Sequence, residues 1–124
     1  MSEQTVITYL RESLSSVRVF PAVPATRTAH SEPFLTVERV GGAVERFYDT
    51  PVWAVAAWAV SRGQAERLAE RAVAALKAWP DRAGHVAYVR VNALYHLPDP
   101  DTRWERYQAT IEAMMKTDHD EGGA

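Results

Sequence analysis

The segment at residues 52–60, VWAVAAWAV, constrains the fold most, because every residue in it is apolar. Nine apolar residues are far fewer than the about 20 that a transmembrane helix needs. Pro51 precedes the segment and Ser61 follows it, which leaves the length of one strand. A half-exposed strand alternates with polar residues. The segment is therefore predicted to be a central strand of a sheet that is covered on both faces.

Two helices are predicted to pack on this sheet. Apolar residues recur at helical spacing over about residues 61–79, with Ser61 as the N-cap and Pro80 as the stop. The N-terminal residues, about 5–16, show the same spacing. The long helix would cover one face of the central strand. Either a second subunit or the N-terminal helix would cover the other.

The remaining strands complete an α+β fold with an antiparallel or mixed sheet in one domain, residues 1–116. A short strand at residues 17–20 precedes a long loop at 22–33, and strands at 34–40 and 43–48 are predicted to form a hairpin across Gly41-Gly42. Residues 85–95 alternate, with Ala87, Val89, Val91 and Ala93 on one side. Residues 104–116 alternate in the same way. The acidic residues 117–124 are predicted to be a disordered tail.

The sequence offers no chemistry that points to an enzyme. It has no cysteine, its four histidines lack the short spacing of a metal site, and no nucleophile motif or phosphate loop occurs. Asp99 and Asp101 lie in a Pro-rich turn that favours exposed, ionised carboxylates over an acid–base pair. The formal net charge of −2 argues against general phosphate binding. We expect no catalytic residue, metal or cofactor, and a soluble protein that acts through its surface.

Several segments in this order resemble the small tail terminator, or tail completion, proteins of long-tailed bacteriophages, especially those that infect actinobacteria. They are FLTVERVGG at residues 34–42, the apolar strand that ends near Trp58, the Ala-, Glu- and Arg-rich helix at 64–78, LPDPDT at 97–102 and RYQAT at 106–110. The resemblance covers roughly residues 10–115, most of the chain.

The resemblance implies a structural virion protein that forms a ring, usually a hexamer, at the head-proximal end of the tail after assembly in the host cytoplasm. Its partners would be other copies of itself, the tail tube protein and the head–tail connector. It would stop growth of the tube and give the connector a docking surface. DNA would pass through the ring without specific binding, and neither a membrane nor a cofactor would be involved.

A ring needs two different patches that meet between neighbouring subunits. We expect one patch on the strand face around Trp53 and Val55. The other is expected on the hairpin, with Glu38, Arg39 and Arg46. Candidate contacts to the tube or the connector are Arg27 and His30 in the long loop and Asp99 and Asp101 in the Pro-rich turn.

Two alternatives stay open at this point. Another neck protein, such as a head-closure protein, also forms rings and is poorly separated by sequence. A small cellular α+β domain, dimeric and acting on a small ligand, would instead need a ligand-sized apolar pocket with convergent polar groups.

Overall fold

The computed structural model describes residues 2–24, 32–100 and 104–116. Its elements in chain order are α1 (Ser2–Ser13), β1 (Arg18–Phe20), β2 (Phe34–Val44), β3 (Tyr48–Ala59), α2 (Arg62–Ala78), β4 (Val86–His96) and β5 (Glu105–Lys116). The strands form one sheet in the order β1-β2-β3-β5-β4. β1 runs parallel to β2 and the other neighbours are antiparallel. The α+β prediction with a mixed sheet is confirmed.

Both helices pack on the sheet as predicted. The Ser61 hydroxyl caps α2 by accepting a hydrogen bond from the Gln64 backbone N–H at 3.2 Å. α1 begins and ends three residues before its predicted bounds. The Tyr9 ring of α1 stacks on Trp79, which follows α2, with 4.6 Å between ring centroids. No helix in the described ranges is long and apolar enough to span a membrane.

β3 lies in the centre of the sheet, as the apolar segment predicts. Trp53 and Val55 face both helices and are buried in one core with Leu10 of α1 and Leu68 of α2. The N-terminal helix therefore shares the face that the long helix covers, and the interpretation that placed it on the opposite face is wrong. The physical reason is that α1 and α2 pack side by side on the sheet, joined through the Tyr9–Trp79 stack.

The opposite face of the sheet carries a small aromatic cluster at one end. Phe34, Trp58 and Trp104 are buried there, and Phe20 and Val23 pack against them. The Trp58 indole N–H donates to the Thr36 hydroxyl at 3.1 Å, which satisfies its polar group inside the cluster. Beyond this cluster the face holds small and polar residues that are only half-buried, such as Ala54, Gln108 and Thr110.

The prediction that Gly41-Gly42 forms the hairpin turn is wrong. β2 continues through both glycines to Val44, and the turn lies at residues 45–47, where the Glu45 N–H donates to the Tyr48 carbonyl at 2.8 Å. The pairing of β2 with β3 shifts by one residue between Arg39 and Gly41, and Gly42 has a φ of +102°. Val40 is thus the extra residue of a β-bulge, and the two glycines that follow it pair with Val52 and Pro51 instead of forming a turn.

β4 also contains β-bulges, so its side chains do not alternate regularly between the two faces. Its pairing with β5 shifts between Val86 and Tyr88 and again between Val91 and Ala93. Each extra residue moves the following side chains to the other face. Val89 and Val91 pack against the core as predicted, while Ala87 and Ala93 are exposed. The predicted acidic tail at residues 117–124 lies outside the described residues, as does most of the loop at 22–33.

Candidate assembly surfaces

The far end of the β2–β3 hairpin extends beyond the helices. Every residue from 40 to 48, here called the distal hairpin, is exposed. Four of them are large and apolar, with exposed fractions of 56% for Val40, 72% for Val44, 52% for Phe47 and 47% for Tyr48. Clusters of exposed apolar residues on one protein commonly mark a site where another molecule binds.

Arg39 fixes the direction in which the distal hairpin points. Its guanidinium forms an ion pair with Asp49 at 2.9 Å and donates hydrogen bonds to the Gly41 and Gly42 carbonyls at 3.0 and 3.3 Å. Its backbone N–H donates to the Glu3 carboxylate of α1 at 2.7 Å. The bulge is therefore fastened both to the opposing strand and to α1.

Replacing Arg39 with alanine is expected to lower the free energy of unfolding by about 1–2 kcal/mol, since the ion pair is partly exposed and its screening limits the loss. Urea denaturation of the monomer measures the change, with Arg46→Ala as the matched control. Arg46 is exposed in the turn, where its guanidinium lies 5.1 Å from the Phe47 ring centroid, so its loss is expected to cost about 0.5 kcal/mol. Equal effects at the two positions would contradict the fastening role of Arg39. Arg46 is accordingly the better position for a charge-reversal test of assembly.

The structure separates the residues predicted to form subunit interfaces. Glu38, Arg39 and Arg46 all lie on the hairpin, Arg46 in its turn and the other two several residue pairs away, with Glu38 and Arg46 exposed and Arg39 half-buried. Trp53 and Val55 are 0% and 3% exposed beneath the helices. The prediction that these two residues form an exposed subunit face is wrong, because α1 and α2 already cover that face within one subunit.

The predicted partner-binding loops are only partly visible. Arg27, His30 and Asp101 lie outside the described residues. Asp99 is half-buried, and its backbone N–H donates to the Trp104 carbonyl at 3.4 Å. Asp99 and Asp101 as partner contacts stay a prediction.

Sequence reasoning missed two apolar surfaces. The sequence predicts an ordinary hairpin strand for Val44, Phe47 and Tyr48, although the charged pair Glu45-Arg46 indicates the turn. It predicts a regular alternation for Leu94 and Tyr95 of β4, which are 39% and 40% exposed. A bulge that reverses the two faces leaves no reliable trace in a single sequence.

The described surface offers little to a small ligand or a metal. The groove of about 460 Å³ between the end of α1 and the start of α2 is open to solvent, and its walls include Glu32, Gln64, Arg67 and Arg71. An enclosed apolar pocket would be the usual ligand site. Within the described ranges, no three His, Cys, Asp or Glu side chains are grouped so that they could hold a metal ion.

One polar cluster joins α2 to the sheet near the start of the helix. Arg62 donates to the Tyr107 hydroxyl at 3.0 Å, and this hydrogen bond raises the pKa of Arg62 above its usual value. His96 stacks on the Tyr107 ring and lies 2.7 Å from the Glu105 carboxylate. Arg62 is a cation at any physiological pH, and its hydrogen bond to Tyr107 links the start of α2 to β5.

The model of the phage tail termination protein family matches residues 1–94 of the 124. The chain belongs to this family. None of the curated proteins compared with this tail termination protein matches it.

A solved structure shares the fold of this tail termination protein. A chain in the virion of a native gene transfer agent (GTA) particle superimposes with a TM-score of 0.63 and 14% sequence identity. The match covers 90% of this chain and 92% of that chain. Family membership confirms the resemblance to tail terminators and supports a structural role in the virion.

Proposed function

We propose that the protein ends the tail tube of a long-tailed phage, of the type found in phages of actinobacteria. Copies of the chain form a ring, of six subunits, on the last ring of the tube and so prevent further addition of tube protein. The observation that carries this proposal is the family match over residues 1–94.

The side of the ring that faces away from the tube is proposed to receive the head–tail connector. Arg27, His30, Asp99 and Asp101 are the candidate contacts for the tube or the connector. DNA passes through the ring without being held. The net charge of −2 supports free passage, because a strongly basic lining would bind phosphate.

Subunits in the ring meet through two different patches, since a closed ring needs a heterologous interface. Glu38, Arg39 and Arg46 stay proposed for the hairpin side of that interface. The exposed apolar side chains of the distal hairpin support this side. The opposing patch must lie elsewhere than at Trp53, which is fully buried.

The location of the protein in assembling particles tests this function against a neck protein that closes the head. Phage components are separated into free tails and DNA-filled heads that lack tails, and gold-labelled antibody is imaged on each by electron microscopy. We expect label at one end of the free tails and none on the heads. Label on the heads and none on the tails would assign the protein to the neck instead.

A further inference from the structure

We propose that the distal hairpin of one subunit packs against the outer edge of β4, at residues 92–95, of the next copy of this chain. This inference rests on the proposed function, because it names the two patches that build the ring. It requires that each patch is exposed in the single subunit, that the two patches differ in position, and that their charges are compatible.

The distal hairpin is a largely apolar projection whose residues are all exposed. Its strand residues are exposed on both faces, whereas the same strands are buried near Leu35 and Ala57. The bulge at Val40, the positive φ of Gly42 and the contacts of Arg39 hold it in one direction. A projection that is ordered before binding loses little conformational entropy when it docks.

The outer edge of β4 is the second uncovered feature. β4 has 11 residues and pairs with β5 on one side, and no other strand in the described ranges pairs with it. After its second bulge, residues 92–95 are all exposed, including Leu94 and Tyr95. Long exposed edge strands are normally shielded because their free backbone groups accept another strand. The distal hairpin can supply both the apolar contact and a strand for this edge.

The two patches lie on opposite sides of the sheet and at different levels along the strands. The distal hairpin is on one side of the sheet, at the end where Tyr48 pairs with Lys116. Leu94 is on the opposite edge, in β4. It pairs with Ala109, which pairs with Val55, so it lies further along the strands from that end of the sheet. A symmetric dimer through either patch would leave the other exposed. Head-to-tail packing covers both, and it is the arrangement that closes into a ring.

The charges of the two patches do not oppose this contact. Residues 40–48 contain one acidic and one basic residue, Glu45 and Arg46, and residues 92–95 contain none. The distal hairpin of one copy can therefore contact β4 of a second copy without bringing like charges together. The test also detects the alternative, in which the distal hairpin binds the tail tube protein.

Site-directed cross-linking tests the contact, because the natural chain has no cysteine. Full-length Val44→Cys and Leu94→Cys proteins are mixed, treated with a short bismaleimide, and analysed by denaturing gel, both free and bound to tail tubes. We expect a cross-linked dimer from the mixture and none from either variant alone. Val60→Cys, which is 51% exposed outside both patches, replaces Leu94→Cys in the control and should give no dimer with Val44→Cys.

A second measurement uses assembly itself. Leu94→Asp is expected to raise the concentration needed for assembly at least about tenfold, whereas Val60→Asp should change it by less than about twofold. A dimer from Val44→Cys alone, cross-links from Val44→Cys to the tube protein, or no cross-link in either state would overturn the contact. Rings that still cap tubes in those cases would leave the proposed function standing. If the protein does not bind tubes but the mixture of Val44→Cys and Leu94→Cys still cross-links, the proposed function is wrong and the proposed contact stands.

Discussion

Replacing Trp53 with alanine is expected to lower the free energy of unfolding by about 3–5 kcal/mol. Trp53 is fully buried in the core between the sheet and the helices, with its ring centroid 6.2 Å from that of Trp79. Removing the indole leaves a cavity that the packed helices cannot fill, and this cost adds to the lost burial of apolar surface. Urea denaturation at a concentration where the protein is monomeric measures the change.

Val60→Ala is the matched control, because Val60 ends the same apolar segment but is 51% exposed. Its effect is expected to stay within about 0.5 kcal/mol. If Trp53→Ala left the stability of the monomer unchanged and abolished oligomers instead, Trp53 would belong to a subunit interface. That outcome would restore the prediction from sequence and contradict the packing described above.

Replacing Gly42 with valine is expected to cost at least about 2 kcal/mol of stability. A Cβ atom at this position would lie 2.0 Å from the Thr50 carbonyl oxygen and 2.8 Å from the Pro51 Cα, both in the backbone of the paired strand. The φ of +102° adds strain for any residue with a side chain. The hairpin must therefore shift away from β3, and hydrogen exchange of the amides at residues 40–48 should accelerate with the loss of pairing.

Gly41→Ala separates this effect from the general loss of a glycine. A Cβ atom at Gly41 meets nothing within 4 Å, so its cost is expected to be below about 0.5 kcal/mol. Equal costs at the two glycines would mean that the bulge does not depend on Gly42. A β-turn centred on both glycines, as the sequence suggested, would then need to be considered again.

The features that the sequence predicted well have short-range causes. The stripe of apolar residues and the Ser61 cap define α2 to within one residue at each end. The strict alternation from Tyr107 to Met115 defines β5. The apolar residues around Trp53 could belong only to a central strand, because an edge or half-exposed strand needs polar residues on one side.

The features that the sequence did not predict depend on contacts between distant residues. Gly-Gly is suited to both a tight turn and a bulge, and the choice depends on Arg39, which holds the bulge through Asp49 and Glu3. Whether α1 would cover the first or the second face of β3 depends on its packing against Trp79. These long-range contacts decide which surfaces are exposed. The sequence alone therefore identifies only the hairpin side of the candidate interface.

The growth of tail tubes tests the central claim most directly. Purified tube protein is polymerised with and without this protein, and tube lengths are measured by electron microscopy. We predict that tubes lengthen without limit in its absence, and that in its presence they stop growing and carry a cap at one end. Tubes that grow equally long in both cases and carry no cap would contradict a role in ending the tail.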